Sequence, residues 1–201
     1  MEKTNGRLSY IRNEYWKWKN ICFWSLRWTR RYDEAYILGK EVAVYVKKHF
    51  CQELVNNLSY KQNNIKNAVI ENFLKMDEIM VESSGKLELR TEAKLSKEED
   101  EKNCEKNEKN KQMDMYRQLF DPRTKEDCDI AMYTGCTACV VVIEGDKIYC
   151  ANAGDSRAVL CKNGVAYPLS IDHKPDLDSE KNRIYKAEGW VTDGRVKGSR
   201  Y

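Results

Sequence analysis

Apolar residues recur every three or four positions over 40–54, at Val42, Tyr45, Val46, Phe50 and Leu54, which predicts a helix that buries one face. A second helix is predicted over about 63–81, with Ile65, Val69, Phe73, Met76 and Met80 inward and Asn, Lys and Glu outward. Both sets read as core. From 82 to about 111 the chain turns to Lys, Glu, Asn and Ser, with Leu87, Leu89 and Leu95 as its only large aliphatic residues. That stretch reads as a charged, solvated linker or insertion.

After Thr134 the helical period gives way to short apolar runs divided by turn residues, the pattern of antiparallel strands. The run 136–143 is apolar at both alternate sets, so it is predicted to be covered on two faces, and Glu144-Gly145-Asp146 turns it into 147–152. A third strand over 157–161 ends at Asn163-Gly164, a dipeptide suited to the positive φ angles of a type I′ turn, and 165–169 returns. The reading is a meander. Beyond it, Asp178 or Ser179 is predicted to cap a short helix that turns Ile184 and Ala187 inward and stops at Gly189. A last hairpin over 190–196 is expected around Asp193-Gly194.

Composition narrows the class. The 201 residues are 41% hydrophobic, enough for one domain with its own core. The charged fraction of 33% exceeds the roughly 25% of ordinary globular chains, which is why one segment is expected to lie outside that core. No apolar run reaches the roughly 20 residues that a membrane helix needs. The first ten residues are polar and lack the features of a signal peptide. An intracellular, cytoplasmic location is therefore expected, with the eight cysteines as free thiols rather than disulfides.

Charge is distributed unevenly. Over residues 1–31 eight basic residues face two acidic ones, and four of the five tryptophans (Trp16, Trp18, Trp24 and Trp28) lie there too. Interleaved basic and aromatic residues can bind a polyanion, but the stretch is read as a partly packed leader, with no nucleic acid favoured as a partner.

The chemistry concentrates in Ala151-Asn152-Ala153-Gly154-Asp155-Ser156-Arg157. A carboxylate in a bend between two apolar strands can help to hold a hard cation through oxygen. Arg157 could instead neutralise Asp155 as an internal salt bridge, and both readings stand. Cys136 and Cys139 form one close pair, and no second pair is available to complete a zinc site.

These residues also carry a resemblance. Gly135-Cys136-Thr137-Ala138, the run Ala151-Asn152-Ala153-Gly154-Asp155-Ser156-Arg157-Ala158-Val159-Leu160, Leu169-Ser170-Ile171-Asp172-His173-Lys174-Pro175 and Gly194-Arg195-Val196-Lys197-Gly198 occur in the order and spacing of the metal-dependent protein serine/threonine phosphatases of type 2C. Gly39-Lys40-Glu41-Val42-Ala43 and Phe73-Leu74-Lys75-Met76-Asp77 resemble helical segments of the same family. The resemblance implies an α+β fold, an antiparallel β-sandwich flanked by helices in α-β-β-α layers. It also implies a two-metal Mg²⁺ or Mn²⁺ centre whose bound hydroxide attacks phosphorus. Asp155 takes by resemblance the place of a carboxylate at an accessory third metal.

There are departures. Where the family has Asp-Gly-His-Gly-Gly, this chain has Ala35-Tyr36-Ile37-Leu38-Gly39, and neither His49 nor His173 stands there. By resemblance, no catalytic residue is identified. Arg30-Arg31-Tyr32-Asp33-Glu34-Ala35 echoes the preceding motif, with Arg30 near the phosphate-binding position and Asp33 and Glu34 at metal-carboxylate positions. A polar surface run is the alternative. After Gly198 the family continues to further strands and two metal-binding Asp residues, whereas here Ser199-Arg200-Tyr201 follows, so the sandwich is expected truncated at its C-terminal side. The expected organisation is a leader at 1–31 and a partial phosphatase-like domain at 32–198. The expected function is hydrolysis of phosphoserine and phosphothreonine in phosphorylated proteins by a monomer, weak or lost in this chain. A pseudophosphatase that binds without catalysis is the alternative.

Overall fold

A computed structural model describes residues 21–29, 40–104 and 129–197. Three strands make the central sheet: β1 (Ile21–Thr29), β2 (Gly135–Glu144) and β3 (Lys147–Ala153), in the order β1-β2-β3 with both pairings antiparallel. The β2–β3 hairpin follows the sequence pattern, Glu144 pairing with Lys147 across the turn and Ala138 with Ala153 at the far end. Strand β1 was not expected. It aligns Ile21 with Val142 and Thr29 with Gly135, with an irregularity between Phe23 and Ser25, so part of the stretch read as a leader belongs to the sheet. Its aromatic and β-branched residues are ordinary strand formers, and the basic residues in and around it, Lys19, Arg27, Arg30 and Arg31, masked that signal. Residues 1–20 lie outside the described residues.

Helices α1 (Lys40–Asn56) and α3 (Ile65–Val81) pack over one face of this sheet and α4 (Ser83–Cys104) packs against both of them; α2 (Leu58–Lys61) is a single turn between the first two. Both predicted helices bury the residues their periodicity selects: Val42, Tyr45, Val46, Phe50 and Leu54 on α1, and Ile65, Val69, Met76 and Met80 on α3, with Phe73 packed against them. Asn64 caps α3 by accepting from the Asn67 N–H. Asn72 departs from the expected polar outer face. It is buried, and its Nδ2 donates to the Phe50 carbonyl at 2.9 Å, which satisfies a group that would otherwise be stranded in the core.

The stretch read as a solvated linker is helical over α4. Its buried stripe is Gly85, Leu89, Ala93 and Ser96, spaced as one helix face, whereas Leu87 and Leu95 point to solvent. Gly85 lets α4 turn back closely on α3, because a Cβ there would stand 2.0 Å from the Ile79 carbonyl oxygen. A polar rim ties α4 to α1: His49 Nε2 is 2.8 Å from Glu88 Oε2, and Lys48 reaches both Glu88 and Glu92. Leu89→Ala is expected to cost about 2–4 kcal/mol by the usual cost of truncating a buried leucine, because Leu89 is 0% exposed. Leu87→Ala, at a position 68% exposed, should change stability by less than about 0.5 kcal/mol. Urea unfolding of the two variants checks this, and equal midpoints would return the stretch to a linker.

Strand β2 is buried on both faces, as its apolar run predicts. Val140 and Val142 join the helical core, while Cys139 and Val141 pack on the opposite face with Ala158, Ile143, Cys150 and Leu169. The meander is corrected. Strands β4 (Val159–Lys162) and β5 (Val165–Pro168) form a two-stranded sheet of their own, as do β6 (Trp190–Thr192) and β7 (Arg195–Lys197). The residues between β3 and β4 turn the chain away from the first sheet instead of pairing along it. Helix α5 (Ile130–Tyr133) precedes β2, and α6 (Asp178–Lys186) lies between the last two hairpins. The α6 N-cap position is Leu177, without a side-chain cap, and Ile184 is buried while Ala187 is exposed. One inward residue, not the expected two, anchors a helix of nine residues. Both predicted turn dipeptides hold positive φ: Asn163 53° and Gly164 76°, Asp193 53° and Gly194 69°.

Candidate functional site

The end of β3 and the loop after β5 form one unit. Gly154 follows β3 with a φ of +103°, and its backbone lies against Thr137 of β2, where an added Cβ would stand 2.4 Å from the Thr137 Cγ2. The neighbouring hydroxyls of Thr137 and Ser156 lie 2.8 Å apart and are buried, so each satisfies the other. These contacts hold the turn that carries Asp155.

The second half of the unit comes from 169–174. The His173 N–H donates to the Gly154 carbonyl at 2.9 Å, and the Gly154 N–H donates to His173 Nδ1 at 3.3 Å. The imidazole therefore accepts at Nδ1. Asn152 Nδ2 donates to the carbonyls of Gly154 and Ile171, both at 2.9 Å. Further along, the Leu169 N–H donates to the Ala158 carbonyl, and the Ala158 N–H to Ser170 Oγ. The two motifs are thus laced together by backbone and side-chain bonds without being a regular ladder.

Arg157 grips Asp172. Its Nε donates to Oδ1 at 2.9 Å and its terminal nitrogen to Oδ2 at 2.8 Å, and Lys174 Nζ approaches Oδ2 at 3.2 Å. Of the two sequence readings of Arg157, the ion pair with Asp155 gives way to this fork, whose planar geometry suits a bidentate carboxylate. The hydrogen bond from Arg157, with the added charge of Lys174, holds the Asp172 carboxyl down at about 2. Its folded-state value lies below its unfolded one, so the stability it adds is present above about pH 4 and is lost as the pH falls toward 2. Asp172→Asn should therefore lower the melting temperature at pH 7, and the gap to the parent should close progressively below about pH 4. Added salt should also shrink it, because the arginine is largely exposed. A gap that does not vary with pH would assign the loss to packing.

Beside this unit lies a cleft of about 350 Å³, lined by Asn152, Gly154, His173, Glu180, Arg183 and Ile184 among others. Arg183 is paired to Glu180 at 2.6 Å on the same helix. Asn152 Oδ1 is buried there and accepts no hydrogen bond.

Asp155 is half-buried at the turn between β3 and β4. Arg30, Asp33 and Glu34 lie outside the described residues, as does the 35–39 run that replaces Asp-Gly-His-Gly-Gly. Among the described residues no three His, Cys, Asp or Glu side chains converge to hold a metal. The described part therefore offers single carboxylates and does not by itself fit a two-metal centre. Cys136 faces the helical core and Cys139 the opposite cluster, so they cannot share a zinc ion. Burial pushes Cys136 up to about 12 and Cys139 up to about 11, which keeps both as thiols at neutral pH.

Residues 39–200 match the family model described as Protein phosphatase 2C. The chain belongs to the protein phosphatase 2C family. It is similar to the "Probable protein phosphatase 2C 2" of Paramecium tetraurelia, 40% identical over 161 residues that make up 80% of this chain and 43% of that protein. "Protein phosphatase 2C 1" of the same organism is 38% identical over the same shares of both chains. "Protein phosphatase 2C homolog 2" of Hypocrea jecorina is 56% identical over 81 residues, 40% of this chain and 17% of that protein. The chain thus spans less than half the length of the curated relatives it matches. The α+β fold agrees with the family, and no described helix is long and apolar enough to cross a membrane. The roles of Asp172, His173 and Asn152 were missed at the level of sequence. The Asp-His-Lys-Pro run flagged the place, but only the fold shows it clasping the Asp155 turn.

Proposed function

We propose that this protein belongs to a serine/threonine phosphatase system in which Mg²⁺ or Mn²⁺ supplies the nucleophilic hydroxide, with phosphorylated proteins as substrates. The observation that carries this reading is the family match over 39–200, which includes the clasped turn bearing Asp155. On this reading Asp155 contributes one carboxylate to a metal. The Thr137, Ser156, Asn152 and His173 contacts fix where that carboxylate stands, and Asp33, Glu34 and Arg30 are further candidates for metal and phosphate. The domain is proposed to begin within the stretch read as a leader, where β1 pairs with β2.

Turnover by this chain is proposed to be slow or absent. Bridging two cations needs several carboxylates to offset their repulsion, and this chain reads Ala35-Tyr36-Ile37-Leu38-Gly39 at the place that resembles the family's Asp-Gly-His-Gly-Gly. Phosphate release from a phosphothreonine peptide, measured with Mn²⁺ and again with EDTA, tests the proposal. Slow release that EDTA abolishes supports it. Peptide binding without release favours the pseudophosphatase, and neither binding nor release overturns both.

A further inference from the structure

We propose that Cys139 and Cys150 form a cross-strand dithiol, a modification site that hydroperoxides convert to a disulfide. In the β2–β3 register Cys139 stands opposite Asn152 and Cys150 opposite Val141, so the two cysteines are diagonal neighbours on one face of the sheet. Their sulfurs are 4.0 Å apart. A disulfide needs about 2.05 Å, so the sulfurs must close by about 2 Å, and because diagonal positions stand about 7–8 Å apart the closure takes a small approach of the two strands as well as side-chain rotation.

The two members differ in access. Cys139 is 0% exposed, packed with Val141 and Ala158, whereas Cys150 is only partly buried. Cys150 is therefore the first to meet an oxidant and Cys139 the resolving partner. The Cys150 thiolate attacks one peroxide oxygen, the S–O bond forms as the O–O bond breaks, and the products are a sulfenic acid and a hydroxide that takes up the proton the thiol had released and becomes water. Cys139 sulfur then displaces the hydroxyl from the Cys150 sulfur, the S–S bond forms as the S–O bond breaks, and the Cys139 proton leaves with the hydroxyl as water. Two thiols are oxidised by two electrons and one hydrogen peroxide is reduced to two waters.

Burial raises both thiols above their ordinary value, so the thiolate fraction is small and the reaction slow. The pair records sustained oxidation and does not answer a brief pulse. The bond would cross-link the strand that carries Thr137 to the strand that delivers Gly154 and Asp155. Of the other described cysteines, Cys51 and Cys136 pack on the other face of the sheet, Cys161 lies on the separate β4 strand, and Cys22 of β1 stands in register with Val141.

The experiment uses the full chain, reduced and then held in hydrogen peroxide without denaturant. Remaining thiols are blocked, the chain is digested without reductant, and mass spectrometry with fragmentation assigns any bridge. The expected result is a Cys139–Cys150 linked pair, two hydrogens lighter than the two thiol peptides and dissolved by dithiothreitol. Cys150→Ser, at the less buried position, should abolish it. Cys139→Val, which keeps a small apolar side chain in the buried position, should drive Cys150 on to sulfinic acid. Recovery of Cys150 as sulfinic acid in the parent chain overturns the proposal. So does a bridge to any other cysteine, or two thiols still unoxidised when exposed residues such as Cys161 have reacted.

Discussion

Gly154→Ala is expected to lower stability by about 4 kcal/mol, the largest effect of any single methyl group near the site. Two terms contribute. A residue with a Cβ held at the Gly154 φ of +103° carries strain of about 1–3 kcal/mol. The new methyl would also stand 2.4 Å from Thr137 Cγ2 and 2.8 Å from Thr137 Cβ, an overlap in a packed setting that adds about 1–3 kcal/mol. Thr137 cannot rotate away cheaply, because its hydroxyl is bonded to Ser156 Oγ at 2.8 Å. For a chain of this size the melting temperature should fall by about 10 °C. The double variant Gly154→Ala with Thr137→Ser separates the terms. Serine keeps the hydroxyl but removes Cγ2, so it should relieve the closer part of the overlap and leave the Cβ contact at 2.8 Å together with the backbone strain. A single variant that melts within about 2 °C of the parent would show that the turn has another backbone path.

Phe50→Ala should cost about 3–5 kcal/mol, the usual range for emptying a buried aromatic site. Phe50 is 1% exposed at the centre of the helical core, and its ring meets Phe73 edge to face, with centroids 5.5 Å apart and planes at 89°. The carbonyl that Asn72 uses belongs to the Phe50 backbone, so that hydrogen bond is not removed with the side chain, and the loss reports the emptied site together with the ring contact. Phe73→Ala should cost less, since Phe73 is only partly buried. A double-mutant cycle should leave a coupling of about 0.5–1.5 kcal/mol for the ring contact. Chemical unfolding of the four proteins gives these values. A loss at Phe50 below about 1 kcal/mol would mean that the α1–α3 interface can collapse onto the vacancy.

How much of this was legible in the chain depended on how wide each buried face is. The α1 and α3 stripes are broad and built of large residues, so spacing alone selects Val42, Phe50, Val69 and Met76. The α4 stripe is narrow and built from Gly85, Leu89, Ala93 and Ser96. Small residues buried against a neighbouring helix look like polar surface when charge is counted, because their burial depends on what approaches them. Strand β1 was hidden for a related reason. Its one arginine, Arg27, stands beside Trp28 in a stretch whose flanks carry Lys19, Arg30 and Arg31, and only pairing with β2, more than a hundred residues on, reveals it as a strand of the central sheet.

The sequence by itself determined the family, through ordered motifs at Gly135-Cys136-Thr137, Gly154-Asp155-Ser156-Arg157 and Asp172-His173-Lys174-Pro175. It also determined the two amphipathic helices, the two-faced burial of β2 and both turns with positive φ, since each follows from residues within one turn or one strand. Tertiary structure decided the partners. Arg157 had a carboxylate two residues away at Asp155, yet it pairs with Asp172, fifteen residues on. The loop after β5 is laced to the Gly154 turn by His173 and Asn152, and that places Asp172 in bidentate reach. Local pattern sets which way a side chain faces, whereas the contact it makes depends on which distant segment the folded backbone brings within hydrogen-bond distance.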